Sequence, residues 1–413
     1  MKHWGIVLLL CLGIVACSSD KKIAPKEGRI SLQENTILQK AGQKIQLAKA
    51  VNTVTVSTPF YNPQNKFPTI KDLTPTENWK KSGAEDQNKN GPLLPAVTLD
   101  KEQVYTLDSK FVVRAHDRAN GNTLWEKVLT EDEVGLALVK NDSLLIALSL
   151  KGKVFALNTK GEILWQKDLK APFRNVPVLE KNSLYLVSAN NDVWVLNTKK
   201  GQEKWHYKTD APTTFLQQMG TPAISQNVII VPFSSGLVVA FDKTTGSYLW
   251  EEDMSGNKAF DRISTIAQMT ASPVIDGQNV YLVGHADKTG AYRLSDGHEI
   301  WNITHGGQLT PVISGNTIFI LTRQNEILAL DKSNGRLFWQ KAIPEIKGKK
   351  AMILLDDKLI ITGTEESVIL SALTGELEET VKTNFDGSIP VVAQDGWYYL
   401  RKNGKLIHQG QIQ

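Results

Sequence analysis

Gly121-Asn-Thr-Leu-Trp125, Gly161-Glu-Ile-Leu-Trp165, Gly201-Gln-Glu-Lys-Trp205, Gly246-Ser-Tyr-Leu-Trp250, Gly297-His-Glu-Ile-Trp301 and Gly335-Arg-Leu-Phe-Trp339 are copies of one phrase, a Gly with a Trp four residues on. Gly375-Glu-Leu-Glu-Glu379 is a seventh copy that has lost its Trp. The Trp residues stand 40, 40, 45, 51 and 38 residues apart. Self-similarity at such a period marks a repeat architecture. The Gly closes a turn opened by Asn or Asp, as in Asn158-Thr-Lys-Gly161, Asp242-Lys-Thr-Thr-Gly246 and Asp331-Lys-Ser-Asn-Gly335. Asx side chains bond the turn backbone, and Gly accepts positive φ. β-branched and apolar runs precede these turns, such as Val154-Phe-Ala-Leu157 and Leu237-Val-Val-Ala-Phe241. The pattern reads as β-hairpins.

A second phrase counts independently. Pro95-Ala-Val97, Pro177-Val-Leu179, Pro222-Ala-Ile224, Pro273-Val-Ile275, Pro311-Val-Ile313 and Pro390-Val-Val392 are short apolar strands opened by Pro. Val134-Gly-Leu-Ala137 and Ala351-Met-Ile353 fit the same period without Pro, which makes eight. Pro is tolerated at the first residue of a strand. Four antiparallel strands in about 43 residues make a propeller blade. The expectation is an all-β chain, an eight-bladed β-propeller of four-stranded antiparallel blades. The chain ends too soon after Asn403-Gly404 for a last outer strand. Trp79, in Thr76-Glu-Asn-Trp79, stands 46 residues before Trp125, on period. Residues 76–82 are therefore expected to pair with Lys405-Leu-Ile407 and close the ring with an N-terminal strand. Trp79, Trp125, Trp165, Trp205, Trp250, Trp301 and Trp339 are expected to dock one blade on the next, each N–H on a backbone carbonyl.

The rest of the chain is read outward from this ring. It has 413 residues, 41% hydrophobic and 22% charged, which is globular composition. A formal charge of +4 is no nucleic-acid footprint in a chain this long. Lys2 and His3 precede an apolar run from Gly5 to Val15. The run falls short of the about 20 residues that span a bilayer and reads as a secretory signal. Ile14-Val15-Ala16-Cys17 resembles a bacterial lipobox, which implies removal of residues 1–16 and diacylation of Cys17. Ser18, where Asp would retain the protein at the inner membrane, implies the outer membrane. Cys11 and Cys17 are the only cysteines, so the mature chain forms no internal disulfide. Residues 17–66 are expected to be a lipidated tether and linker, with Pro59, Pro63 and Pro68 favouring extension. Residues 67–413 are expected to be the propeller.

The Asx-turn, Gly and Trp repeat is similar to the quinoprotein-type (PQQ-like) propeller repeat. Quinoprotein alcohol dehydrogenases carry it, and so does the BamB family, lipoproteins of the outer-membrane β-barrel assembly machinery. Lipobox, tether, eight blades and N-terminal closure all resemble the BamB family, from about Gly28 to the end. Gly28-Arg-Ile-Ser31 resembles the segment after the tether in alphaproteobacterial members. Pro232-Phe-Ser-Ser-Gly236 and Ser272-Pro-Val-Ile-Asp276 resemble the fourth blade's inner hairpin and the fifth blade's opening. The resemblance implies a non-enzymatic scaffold, lipid-anchored on the periplasmic side of the outer membrane. Its implied partners are the periplasmic domains of the barrel-forming subunit BamA, the rest of that complex, and unfolded outer-membrane protein precursors. No cofactor is implied. Two loops would dock on BamA. The first corresponds to Thr214-Phe-Leu-Gln-Gln-Met219, with Thr214, Leu216, Gln217 and Gln218 as contacts. The second corresponds to Asp261-Arg-Ile-Ser-Thr-Ile-Ala-Gln-Met-Thr270, where either Gln268 and Thr270 or Asp261 and Arg262 stand for the family's two Asp.

Two alternatives make demands on particular residues: a quinoprotein-type dehydrogenase and another periplasmic binding propeller. The quinoprotein resemblance would require adjacent cysteines, and Cys11 and Cys17 are not adjacent. A carbohydrate-reading propeller would cluster aromatics in its face loops, whereas most Trp here sit at the repeat position. Asp86-Gln-Asn-Lys-Asn-Gly91 starts like an EF-hand loop, but Val97 stands where a bidentate Glu is needed. His116, His206, His285, His298, His305 and His408 form no i, i+4 ligand pair. No catalytic or metal residue is expected, and Glu131-Asp132-Glu133 reads as a solvated cluster.

Overall fold

The computed structural model describes residues 38–53, 56, 62, 64–66, 68–71, 78–84, 97–209, 219–255, 270–285, 287–386 and 388–410. Asp86–Gly91 lies outside them. Each repeat folds as a four-stranded antiparallel sheet, and the described residues contain eight. Blade 4 shows the unit: Ala223–Ile224 innermost, then Val228–Pro232, Leu237–Asp242 and the outer Tyr248–Asp253. The Pro-led inner strands are short, two or three residues each. The two without Pro, Gly135–Lys140 and Ala351–Leu355, run to six and five. The missing Pro N–H ends a ladder, so this difference follows from sequence.

Seven apolar clusters fill the spaces between blades. Leu136, Ile146 and Ala156 of blade 2, for example, meet Leu179, Leu186 and Leu196 of blade 3. Blades 7 and 8 meet through Ile353, Ile369, Val392, Trp397 and Ile407. Blade 8 meets blade 1 through Val391, Tyr398 and Leu406 against Val97, Leu99 and Tyr105. The ring order therefore follows the chain.

The eighth blade is built from both ends, as the Trp period indicates. Trp79–Ser82 pairs with Lys405–Gln409, Trp79 opposite His408 and Lys81 opposite Leu406. Arg118 of blade 1 reinforces the seam. Its guanidinium bonds Asp395 of blade 8 at 2.9 and 2.5 Å and the Tyr398 hydroxyl at 3.1 Å. Burial raises the Asp395 pKa, but the bonds from Arg118 and Tyr398 outweigh it and hold the carboxyl below its ordinary value.

The seven Trp share one environment. Each indole N–H donates to a backbone carbonyl of the following blade: Trp79 to Arg118, Trp125 to Thr159, Trp165 to Thr198 and Trp205 to Lys243. Trp250 bonds Leu294, Trp301 bonds Lys332 and Trp339 bonds Ala372. The distances run from 2.7 to 3.1 Å. Each ring also lies against that next blade's turn Gly. At Gly201 (φ 65°) an added Cβ would come within 2.6 Å of the Trp165 ring. The Gly of the phrase thus serves the turn and the Trp of the preceding blade together.

One reading needs correction. Glu133 is buried, with Lys153 at 3.8 Å, because its connector folds in over blade 2. From Leu38 onward the described residues of the N-terminal segment are seated on the ring. Ala41 N–H bonds Leu337 O at 2.8 Å, and Leu337 N–H bonds Gln39 O at 2.7 Å. Val56 forms an antiparallel bridge with Leu99, and Ile70 a parallel one with Leu355. Gln394 N–H bonds Thr53 O. Gln39 and Ala41 hold the start of the outer strand of blade 6, whereas Val56 and Ile70 cover the otherwise unpaired edge of the inner strands of blades 1 and 7.

Candidate partner-docking face

Every outer strand is followed by a connector to the next inner strand. These connectors gather at the starts of the inner strands, on one face of the ring. Two of them contain the positions expected from sequence to dock. The first runs from Tyr207 to Ala223 and the second from Asp253 to Val274, in adjacent blades. Thr214, Leu216, Gln217, Gln218, Asp261, Arg262 and Gln268 lie outside the described residues. Thr270 is described, and its hydroxyl donates to Gln308 O at 3.0 Å. Met219 is only 3% exposed, so it packs into the ring.

The two connectors are rooted side by side. Thr221 N–H donates to Ser272 Oγ at 2.9 Å. Ser272 N–H donates to Thr310 Oγ1 at 3.0 Å, which carries the link to the connector of blade 6. A Cβ at Gly220 would stand 2.6 Å from Ala271 O, so only Gly lets the two roots approach this closely. From the other side, Met219 N–H bonds Arg174 O at 3.2 Å and the Asn175 side-chain amide bonds Gly220 O at 3.3 Å. The start of the first connector is held as well, with Thr209 Oγ1 on Asn190 O at 3.0 Å.

Sequence reasoning missed one contributor. Asn65, in the segment expected to be a linker, is 1% exposed. Its side-chain NH₂ points at Thr221 O (3.0 Å), Pro222 O (3.1 Å) and Pro273 O (3.1 Å), the roots of both connectors. The available signal was the Asn62-Pro-Gln-Asn65 turn composition, which reads equally as a linker. Next to it Lys66 Nζ bonds Asp276 at 2.6 Å, and Lys332 bonds the other carboxylate oxygen at 2.5 Å. Burial pushes Asp276 up, but Lys332 and Lys66 outweigh that and hold it below the ordinary carboxylate range.

Among the described residues no three His, Cys, Asp or Glu side chains gather as a metal site. The face is a set of backbone turns tied by hydroxyls and amides, an arrangement suited to presenting loops.

Solved structures with the same organisation include a BamB and a quinohemoprotein alcohol dehydrogenase. A BamB from Moraxella catarrhalis superposes with a TM-score of 0.68 at 14% identity, over 82% of this chain and 99% of that one. A quinohemoprotein alcohol dehydrogenase, ADHIIG from Pseudomonas putida HK5, superposes at 0.65 and 10% identity, over 88% and 81%. Likeness at these identities is likeness of fold alone. In sequence, the outer membrane protein assembly factor BamB of Shewanella oneidensis is 22% identical over 330 residues, 76% of this chain and 83% of its own. That of Yersinia pestis is 23% identical over 371 residues, 86% and 92%. The family model described as "Outer membrane protein assembly factor BamB" matches residues 109–341 and 290–406. With most of its length matched, the chain belongs to the BamB family of outer membrane protein assembly factors.

Proposed function

We propose that this chain is a non-enzymatic scaffold of outer-membrane protein assembly that holds the periplasmic domains of BamA through residues 214–219 and 261–270. The observation that supports it is the tie between Thr221 and Ser272, which roots two adjacent connectors side by side on one face. Two neighbouring loops on fixed roots form a composite surface that neither makes alone. Thr214, Leu216, Gln217 and Gln218 are the contacts on the first, and Gln268 and Thr270, or Asp261 and Arg262, on the second. A pull-down with BamA periplasmic domains should retain the full chain. Replacing Leu216 and Gln217 with Asp should abolish retention while the thermal midpoint stays put, since the change is confined to a connector. Undiminished retention by that variant would remove the loop assignment.

The anchor is part of the same proposal. Residues 1–16 are removed, Cys17 is diacylated, and residues 17–66 lead from the outer membrane to the propeller of residues 67–413. Acyl chains hold a protein through about 0.8 kcal/mol per buried CH₂. Mass spectrometry of the N-terminal peptide from envelopes should find acylated Cys17, and a free thiol there would refute the anchor.

A further inference from the structure

We infer that Asn65 is a positioning residue for partner docking, a key that holds the roots of the two docking connectors in one register. The inference rests on the docking reading above and adds to it the element that sets the geometry.

Three observations carry it. The first is the target of the amide. Thr221 and Pro222 lead into blade 4 and Pro273 into blade 5, and their carbonyls converge on one NH₂ group at 3.0–3.1 Å. All three stand just ahead of the first paired residues, Ala223 and Val274. Asn65 supplies donors to carbonyls at the entry of both strands, and three acceptors share its two hydrogens.

The second is that the turn is shaped before it meets the ring. Asn62 Oδ1 accepts from the N–H groups of Gln64 (3.1 Å) and Lys66 (3.0 Å), and Asn62 Nδ2 donates to Lys66 O at 2.7 Å. Asn65 N–H donates to Asn62 O. This leaves Asn65 at φ 56°, a left-handed conformation that Asn accepts more readily than most residues. The third is that the turn is bolted on both sides of Asn65. Ile275 N–H donates to Gln64 O at 3.0 Å, and Lys66 pairs with Asp276, which Lys332 of blade 6 also grips. A passing linker would need none of this. The arrangement ties this one turn of the N-terminal segment to the roots of both connectors and to the inner strand that follows the second.

The test uses the full mature chain and two readouts. Asn65→Gly keeps the left-handed backbone and removes only the amide. Hydrogen exchange at Gly220, Thr221, Ala271 and Ser272 should quicken tenfold or more, while exchange across the blade 8 seam and the thermal midpoint stay as in the parent. Affinity for the BamA periplasmic domains should fall by a similar factor. Lys66→Met, which loosens the turn and leaves Asn65 in place, should shift the same amides less and guards against a glycine variant that fails to fold. Unchanged exchange at those roots in both variants overturns the inference. So does faster exchange with unaltered affinity, provided the Leu216 and Gln217 double variant has lost binding. If that double variant binds normally, the docking reading has failed, and with it the role of Asn65 in docking.

Discussion

His116 shows how the ring handles a titratable group it buries. It lies in the third strand of blade 1, fully covered, with ring nitrogens 3.3 Å from the hydroxyls of Thr106 and Thr123. Burial first, and the neighbouring Arg114 charge second, push its pKa down to about 4. A histidine lowered this way is neutral in the folded chain and protonates in the unfolded chain near 6.5. The unfolded chain therefore binds more protons between these values, and stability falls as pH drops through that window. The loss should total about 3 kcal/mol by pH 4. Urea midpoints measured from pH 7 to pH 4 should decline over that span, and His116→Gln should flatten the decline. An equal slope in both proteins would place the titration elsewhere.

At the scale of the element, the repeating phrase describes an interface between blades more than a strand. The Trp of one blade covers the turn Gly of the next and bonds that turn's carbonyl. Gly201→Ala should therefore suffer twice, from a left-handed backbone and from overlap with Trp165. The two together should cost about 2–4 kcal/mol by chemical denaturation. The same logic accounts for the absent Trp at Glu379. Blade 8 has no hairpin between its last two strands, because there the chain's two ends meet, with Gly410 N–H on the Asn78 side chain. A Trp in blade 7 would have no turn to cover. Ile369, opposite Glu379, fills the space where most other blades have Ala. Glu379→Trp should accordingly leave stability within about 0.5 kcal/mol of the parent. A clear gain would show that a Trp site exists there after all.

On the scale of the whole molecule, closure and hub are separate devices. Closure joins Trp79–Ser82 to Lys405–Gln409 and removes two exposed edges that would otherwise invite pairing with other chains. The hub is lined by inner strands whose free edges face the ring's middle. Residues such as Val56 and Ile70 of the N-terminal segment cover those edges in blades 1 and 7. From Leu38 onward the described residues of the N-terminal segment are thus part of the ring, and Asn65 among them touches the roots of the proposed docking surface.

The ring itself was legible in the chain because its signals are local and repeated. Gly to Trp at a fixed offset, Asx before Gly, and Pro before each short strand each report on turns and ladders within one blade. Repetition then fixes the count, and Trp79 falls on period because the closing strand obeys the same phrase. The site was legible only in outline. Resemblance pointed to two connectors, but their roots depend on contacts between residues 51 apart, such as Thr221 and Ser272, which no periodicity encodes. The hub was not legible at all. Asn65 meets Pro273 across 208 positions, in a stretch whose Pro and Asn content fits a linker as well as a turn. Local chemistry decides strands and turns, so the sequence by itself determined the blades and their closure. Which carbonyls lack a donor is known only once eight blades stand in a circle, so tertiary structure alone decided where the N-terminal segment would lie.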